Sequence, residues 1–157
     1  MTEELFFVKG DATNPIGDGS KIIAHICNDV GGWGEGFVLS ISKKWIKPQE
    51  SYNEWFNSKE NFVLGEVKFV DVQKDIIVAN MIAQRDIKPL NGVPPIRYDA
   101  LRECLIKVAD FALQNNSSVH MPRIGCKLAG GEWKKVELII KQTILSVEVK
   151  VFVYDLR

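Results

Sequence analysis

Twice in this chain an apolar run gives way to a glycine-rich loop and then to apolar residues at helical spacing. In the first case Ile22, Ile23, Ala24 and Ile26 lie within Lys21 to Cys27. The loop Gly31-Gly32-Trp33-Gly34-Glu35-Gly36 follows, then Phe37, Val38, Ile41 and Trp45 at helical intervals. In the second, Val119 to Pro122 runs into Ile124-Gly125-Cys126-Lys127-Leu128-Ala129-Gly130-Gly131. Trp133, Val136, Ile139, Ile140 and Ile144 come after it. A strand buried on both faces, feeding a helix through a short loop, belongs in a sheet covered by helices.

The rest of the chain fits around these two units. Residues 4–9, with Leu5, Phe6, Phe7 and Val8, read as a short strand that Gly10-Asp11-Ala12-Thr13-Asn14-Pro15 stops. Pro48 ends or resets the first helix, and Tyr52, Trp55 and Phe56 mark a second amphipathic piece. Glu66 to Val72 and Ile76 to Ile82 read as strands joined by a turn at Lys74-Asp75. Residues 84–97 read as a polar, proline-containing connection. Tyr98, Leu101, Leu105, Val108 and Ala112 line one face of a helix that Asn115-Asn116 stops. Val149 to Tyr154 is a final strand. The expected fold is α/β: a three-layer α/β/α sandwich with a mixed central sheet, formed as a single domain over 1–157.

Charge narrows the partners. Lys plus Arg and Asp plus Glu are 20 each, so the basic excess of a protein that grips a polyanion is missing. Lys43, Lys44 and Lys47 form a local basic group that reads as a solvated helix face. The odd number of cysteines, 3, without a CxxC pair or a secretory leader, points to reduced thiols and a cytoplasmic setting. A monomer is expected. No run approaches the roughly 20 apolar residues of a membrane span.

Glycine loops that open helices let backbone N–H groups converge on an anion, and the helix N-terminus adds partial positive charge. One such loop is equally a tight turn. Two of them at the same edge of a parallel sheet suit a diphosphate. The first loop lacks GxGxxG, and no acidic residue follows at the expected distance, which disfavours a dinucleotide dehydrogenase. Asp11 stands directly after the first strand. A carboxylate there can accept from the exocyclic amine of adenine, or it can simply form the turn.

Together these segments resemble a macro domain of the ADP-ribose 1''-phosphate processing type. Gly10-Asp11-Ala12-Thr13 is similar to that family's opening motif. Ala24 to Asp29 with Gly31 to Gly36 resembles its distal-ribose loop, and Met121 to Gly131 resembles its diphosphate loop. The likeness runs over essentially the whole chain and is nearest to the terminal ADP-ribose protein glycohydrolase group. It implies that the partner is ADP-ribose or an ADP-ribosylated protein or nucleic acid, with no cofactor and no metal. By the same resemblance Asp11 and Ala12 meet adenine, with Tyr154 close by. Gly32, Trp33, Gly34, Glu35, Gly36 and Phe37 surround ribose and phosphate. Ile124, Gly125, Cys126, Lys127, Leu128, Ala129 and Gly130 close over the diphosphate, while Asn28 and Asp29 lie near the distal ribose as the catalytic candidates.

The resemblance also exposes a departure. The glycohydrolase's lysine nucleophile and its partner aspartate fall at Gln84 and Ala129. Neither glutamine nor alanine supplies that chemistry. A hydrolase would therefore need attack by water, with Asn28, Asp29 or a ligand phosphate orienting it. The other reading is a non-catalytic ADP-ribose reader. His25 and Cys27, two apart on a strand, share a face and can form a thiol–imidazole pair or an inert packed pair. His25, Cys27, His120 and Cys126 match no zinc spacing. Trp45, Trp55 and Trp133 read as core. Trp33 either walls the ribose pocket or plugs its loop against the sheet.

Overall fold

The computed structural model describes residues 4–126 and 129–156, so the expectations placed on Lys127 and Leu128 lie outside the described residues. The strands are β1 (Leu5–Lys9), β2 (Lys21–Asn28), β3 (Val67–Gln73), β4 (Ile76–Gln84), β5 (Ser118–Pro122) and β6 (Val151–Asp155). They form one sheet in the order β1-β6-β5-β2-β4-β3. Every pairing from β1 to β4 is parallel, and β3 pairs antiparallel with β4 at the edge. The sheet is mixed, as expected, because Asp75 at φ 64 closes a tight β3–β4 turn while the other strands are joined by crossovers.

Alternate residues of each strand face opposite ways, and the two faces carry different helices. The helices are α1 (Phe37–Lys44), α2 (Lys47–Ser58), α3 (Tyr98–Asn115) and α4 (Trp133–Thr143). Ile22, Ala24, Met81, Val119, Met121 and Val153 pack with Leu101, Leu105 and Val108 of α3 and with Val136 and Ile140 of α4. Ile23, Cys27 and Val78 pack on the other face with Val38 and Ile41 of α1 and with Tyr52 of α2. Burying each such Ile or Leu stabilises by roughly 1.5–3 kcal/mol. No described helix is long and apolar enough to cross a membrane.

Local chemistry sets the ends. Pro48 sits in the first turn of α2, where its missing N–H is harmless. Asn116 at φ 50 caps α3, donating its N–H to Ala112 O and Leu113 O. The last strand begins at Val151 rather than Val149, because a 3-10 turn over Leu145–Val147 and Glu148 at φ 63 redirect the chain first. Of the three tryptophans expected in the core, two pack against it while only half-buried. Trp55 is buried, but Trp45 is only half-buried at the end of α1, its Nε1–H donating to Gln73 Oε1 at 2.9 Å. Trp133 is half-buried too, with its Nε1–H on Glu137 Oε1. An indole N–H seeks an acceptor, and these acceptors lie near the surface.

Candidate functional site

Because the sheet is parallel from β1 to β4, the loops that follow β1, β2, β4 and β5 all emerge at one edge. After β1, the N–H of Gly10 still donates to Asp155 O (2.8 Å), and the chain then turns at Asp11. Asp11 Oδ1 accepts from both the N–H and the hydroxyl of Thr13, each at 2.8 Å. The carboxylate does form the turn, and its second oxygen carries no hydrogen bond among the described residues. Lys44 Nζ donates to Thr13 O (2.6 Å), and Ile16 N–H donates to the Tyr154 hydroxyl (3.0 Å). That hydroxyl lies 2.7 Å from His120 Nδ1, whose ring is 2.8 Å from Ser118 Oγ through Nε2. Tyr154, only 4% exposed, thus pins the Asp11 loop from beneath.

After β2, a single amide organises the first glycine loop. Asn28 Oδ1 accepts from Val30 N–H and Gly32 N–H, and Asn28 Nδ2 donates to Gly32 O at 2.8 Å. The Tyr52 hydroxyl lies 2.7 Å from Asn28 O and 2.9 Å from its Oδ1, and accepts from Gly31 N–H. Trp33 is buried, donates to Ser42 Oγ (2.8 Å) and packs edge-on against His25, so it plugs the loop against the sheet. Gly34, Glu35 and Gly36 remain exposed. Gly36 caps α1 at φ 83 without a side-chain hydrogen bond; Leu39 N–H donates to Gly36 O at 3.1 Å, and the N–H groups of Phe37 and Val38 ahead of it have no intrahelical partner.

After β5, Gly131 N–H donates to Gly125 O at 2.6 Å and pinches the second loop at its base. Ala129 is 5% exposed, and its O accepts from Ile96 N–H (3.0 Å). Ile124 is buried, and Cys126 is half-buried with its Sγ 3.3 Å from Ile124 O. Burial raises the Cys126 thiol above its ordinary range, against the pull of Arg123.

The loop after β4 differs from the polar connection expected. It folds back as a finger over 85–97, held at its root by a bridge between Gln84 and Ile96 and by Arg85 N–H on Pro95 O. Near its tip Leu90 and Val93 exchange both backbone hydrogen bonds around Asn91 (φ 53) and Gly92 (φ 78), a tight hairpin turn. Arg97 Nη1 donates to the carbonyls of Pro94, Pro95 and Ile96. Ile87, Leu90 and Val93 are exposed on the finger.

The catalytic candidates separate in this geometry. The Asn28 amide is occupied at both ends and is a brace. Asp29 is half-buried; its Oδ1 accepts from Asp86 N–H (2.7 Å), and its Oδ2 lies 3.7 Å from Arg85 Nη1. Gln84 is the register partner of Asn28 and donates from Nε2 to Asp86 O. Neither Gln84 nor Ala129 brings a nucleophile or an acid to this edge. His25 and Cys27 do share a face, at 3.9 Å. Burial lowers His25 to about pH 4 and raises Cys27 far above the usual thiol range, so the pair is neutral and inert near pH 7. Among the described residues no group of 3 or more His, Cys, Asp or Glu is placed to hold a metal. The brace from Tyr52 and the finger escaped the sequence reading.

No family model matches the chain. Two solved structures cover it almost completely. A protein of unknown function from Bacteroides thetaiotaomicron is 55% identical, with 99% of each chain covered and a TM-score of 0.98. A macrodomain protein from Streptomyces coelicolor is 45% identical over 97% of this chain and 99% of that one, with a TM-score of 0.88. Among relatives, the zebrafish (Danio rerio) chromodomain-helicase-DNA-binding protein 1-like is 30% identical over 96% of this chain, which spans only 15% of that protein's length. A Candida albicans ADP-ribose 1''-phosphate phosphatase is 23% identical, covering 87% of this chain and 91% of its own. The human ADP-ribose glycohydrolase OARD1 is 27% identical, covering 97% and 91%.

Proposed function

The chain belongs to the macrodomain family, and we propose that it binds ADP-ribose along the C-terminal edge of its parallel strands and hydrolyses an ADP-ribose conjugate there. The observation that carries this reading is the meeting of two glycine loops at one edge, beside an α1 N-terminus that no side chain caps. The names of the phosphatase and glycohydrolase relatives support hydrolysis. In this proposal the free oxygen of Asp11 receives the adenine amine, with Ala12 beside it. Backbone N–H groups from Gly34 to Phe37 hold phosphate and ribose, and Gly125 to Gly130 closes over the diphosphate. Asn28 braces the distal-ribose loop. Asp29 orients the attacking water, a task that needs position and charge more than a strong base. Cys27, Cys104 and Cys126 are free thiols, which suits a cytoplasmic protein.

Product analysis tests the chemistry. Incubation with a mono-ADP-ribosylated protein, an ADP-ribosylated DNA end and ADP-ribose 1''-phosphate is expected to release ADP-ribose from at least one of them. Asp29→Asn is expected to slow release by about 100-fold with little loss of ADP-ribose affinity. Absence of release from all three contradicts hydrolysis and leaves a reader of ADP-ribose. That second reading rests on the resemblance alone, by which Gln84 and Ala129 fall at the positions of the glycohydrolase group's lysine and aspartate.

A further inference from the structure

The polar groups beneath the Asp11 turn form one chain through the interior. Ser118 and His120 stand two apart on β5 and share a face. The strand register sets Ile23, His120, Phe152 and Phe6 in one row across that face. His120 is 0% exposed, with the Phe152 ring stacked on it at 4.8 Å and Phe6 on Phe152 at 4.9 Å. Its Nε2 lies 2.8 Å from Ser118 Oγ, and its Nδ1 lies 2.7 Å from the Tyr154 hydroxyl, which accepts from Ile16 N–H at 3.0 Å. The chain thus starts at the end of β5 remote from the ligand edge and finishes in the loop that follows Asp11.

The number of protons fixes the direction of these bonds. Burial first, and the charge of Lys21 second, lower the His120 pKa to about 4, so the ring carries a single proton near pH 7. With that proton on Nε2, the ring donates to Ser118 Oγ, Nδ1 accepts from the Tyr154 hydroxyl, and the tyrosine lone pairs are left for Ile16 N–H. With the proton on Nδ1, the tyrosine oxygen would accept twice. Its own proton would then lack an acceptor among the described residues, in a side chain only 4% exposed. An orphaned buried donor is disfavoured, so the proton sits on Nε2.

We infer that His120 is a positioning residue for nucleotide binding: by accepting at Nδ1 it aims the Tyr154 oxygen at Ile16 and so seats the turn from which Asp11 offers its free oxygen to adenine. This rests on the ADP-ribose reading above. Thr13 and Asn14 close the turn on Asp11 itself, and Lys44 ties it to α1. Tyr154 ties its far end to the sheet, and His120 holds Tyr154. His120 is buried beneath the turn and acts through these groups rather than on the ligand.

Calorimetric titration of the whole protein with ADP-ribose tests this through two amides of different reach. His120→Gln sets its amide where Nε2 stands, which keeps the Ser118 contact and leaves Tyr154 without an acceptor. His120→Asn sets its Oδ1 where Nδ1 stands and keeps that acceptor. H120Q is expected to bind ADP-ribose about tenfold more weakly, and H120N to recover the affinity to within about twofold of the wild type. A side chain that merely fills space would give the reverse order, because Gln is nearer to His in size. In an Asp11→Ala background the H120Q loss is expected to shrink below about twofold, since both changes act on one contact. Nitrogen NMR of the imidazole in the unaltered protein is expected to find the proton on Nε2. Equal losses in H120N and H120Q, no loss in H120Q, a full H120Q loss on top of Asp11→Ala, or a proton on Nδ1 would each overturn the positioning role alone. Failure of the wild type to bind ADP-ribose, or binding by Asp11→Ala as tight as the wild type's, would overturn the underlying reading and this inference with it.

Discussion

Asn28 is bonded at both ends of its side chain, and Tyr52, 0% exposed, secures the loop around it. Tyr52→Phe removes that hydroxyl and leaves the Gly31 N–H without its acceptor. The expected cost is about 1–3 kcal/mol, read as a lower urea midpoint. The two histidines act through pH. Burial holds His25 and His120 each at about pH 4, against an ordinary 6.5. The unfolded chain therefore binds more protons than the folded one between these values, and stability falls as pH drops through that window. Urea unfolding at stepped pH is expected to show a loss of at most about 3 kcal/mol per histidine between pH 6.5 and 4. A flat profile there would contradict burial of both rings as neutral groups. At this scale the sequence was partly legible. The spacing of His25 and Cys27 put them on one face. The chemistry of Asn28 was not readable, because its partner Tyr52 lies 24 residues away on α2.

The elements were legible wherever one periodicity ruled. β2 reads as doubly buried and is so along its whole length but for one half-buried residue, and the α3 face and its Asn116 stop follow from spacing and turn chemistry. The finger was hidden by its own composition. Its three prolines and scattered charges suggest an irregular loop, while the backbone bridges that fold it back leave no pattern in side-chain type. The second glycine loop depends on one conformation in particular. Gly125 sits at φ 76, and a Cβ there would collide with Ile96 Cδ1. Gly125→Ala is expected to cost about 1–3 kcal/mol through backbone strain and that collision. It should also displace the Gly131–Gly125 pinch. A thermal melt measures the first effect, and a matching loss of ADP-ribose affinity measures the second. Unchanged values for both would remove the loop from the site.

Across the whole molecule, parallel pairing from β1 to β4 determines where function can sit. It gathers the Asp11 turn, both glycine loops and the finger at one edge, while α1 and α2 on one face and α3 and α4 on the other exclude water from the sheet. In the proposed reading, a net charge of zero fits recognition by backbone donors and a few carboxylates. The most direct test of this account is calorimetric titration of the protein with ADP-ribose beside Asp11→Ala. The account predicts binding near micromolar strength, weakened about tenfold or more by the substitution with the fold intact. No heat from folded wild-type protein, or equal affinity in the variant, would contradict the placement of ADP-ribose at this edge.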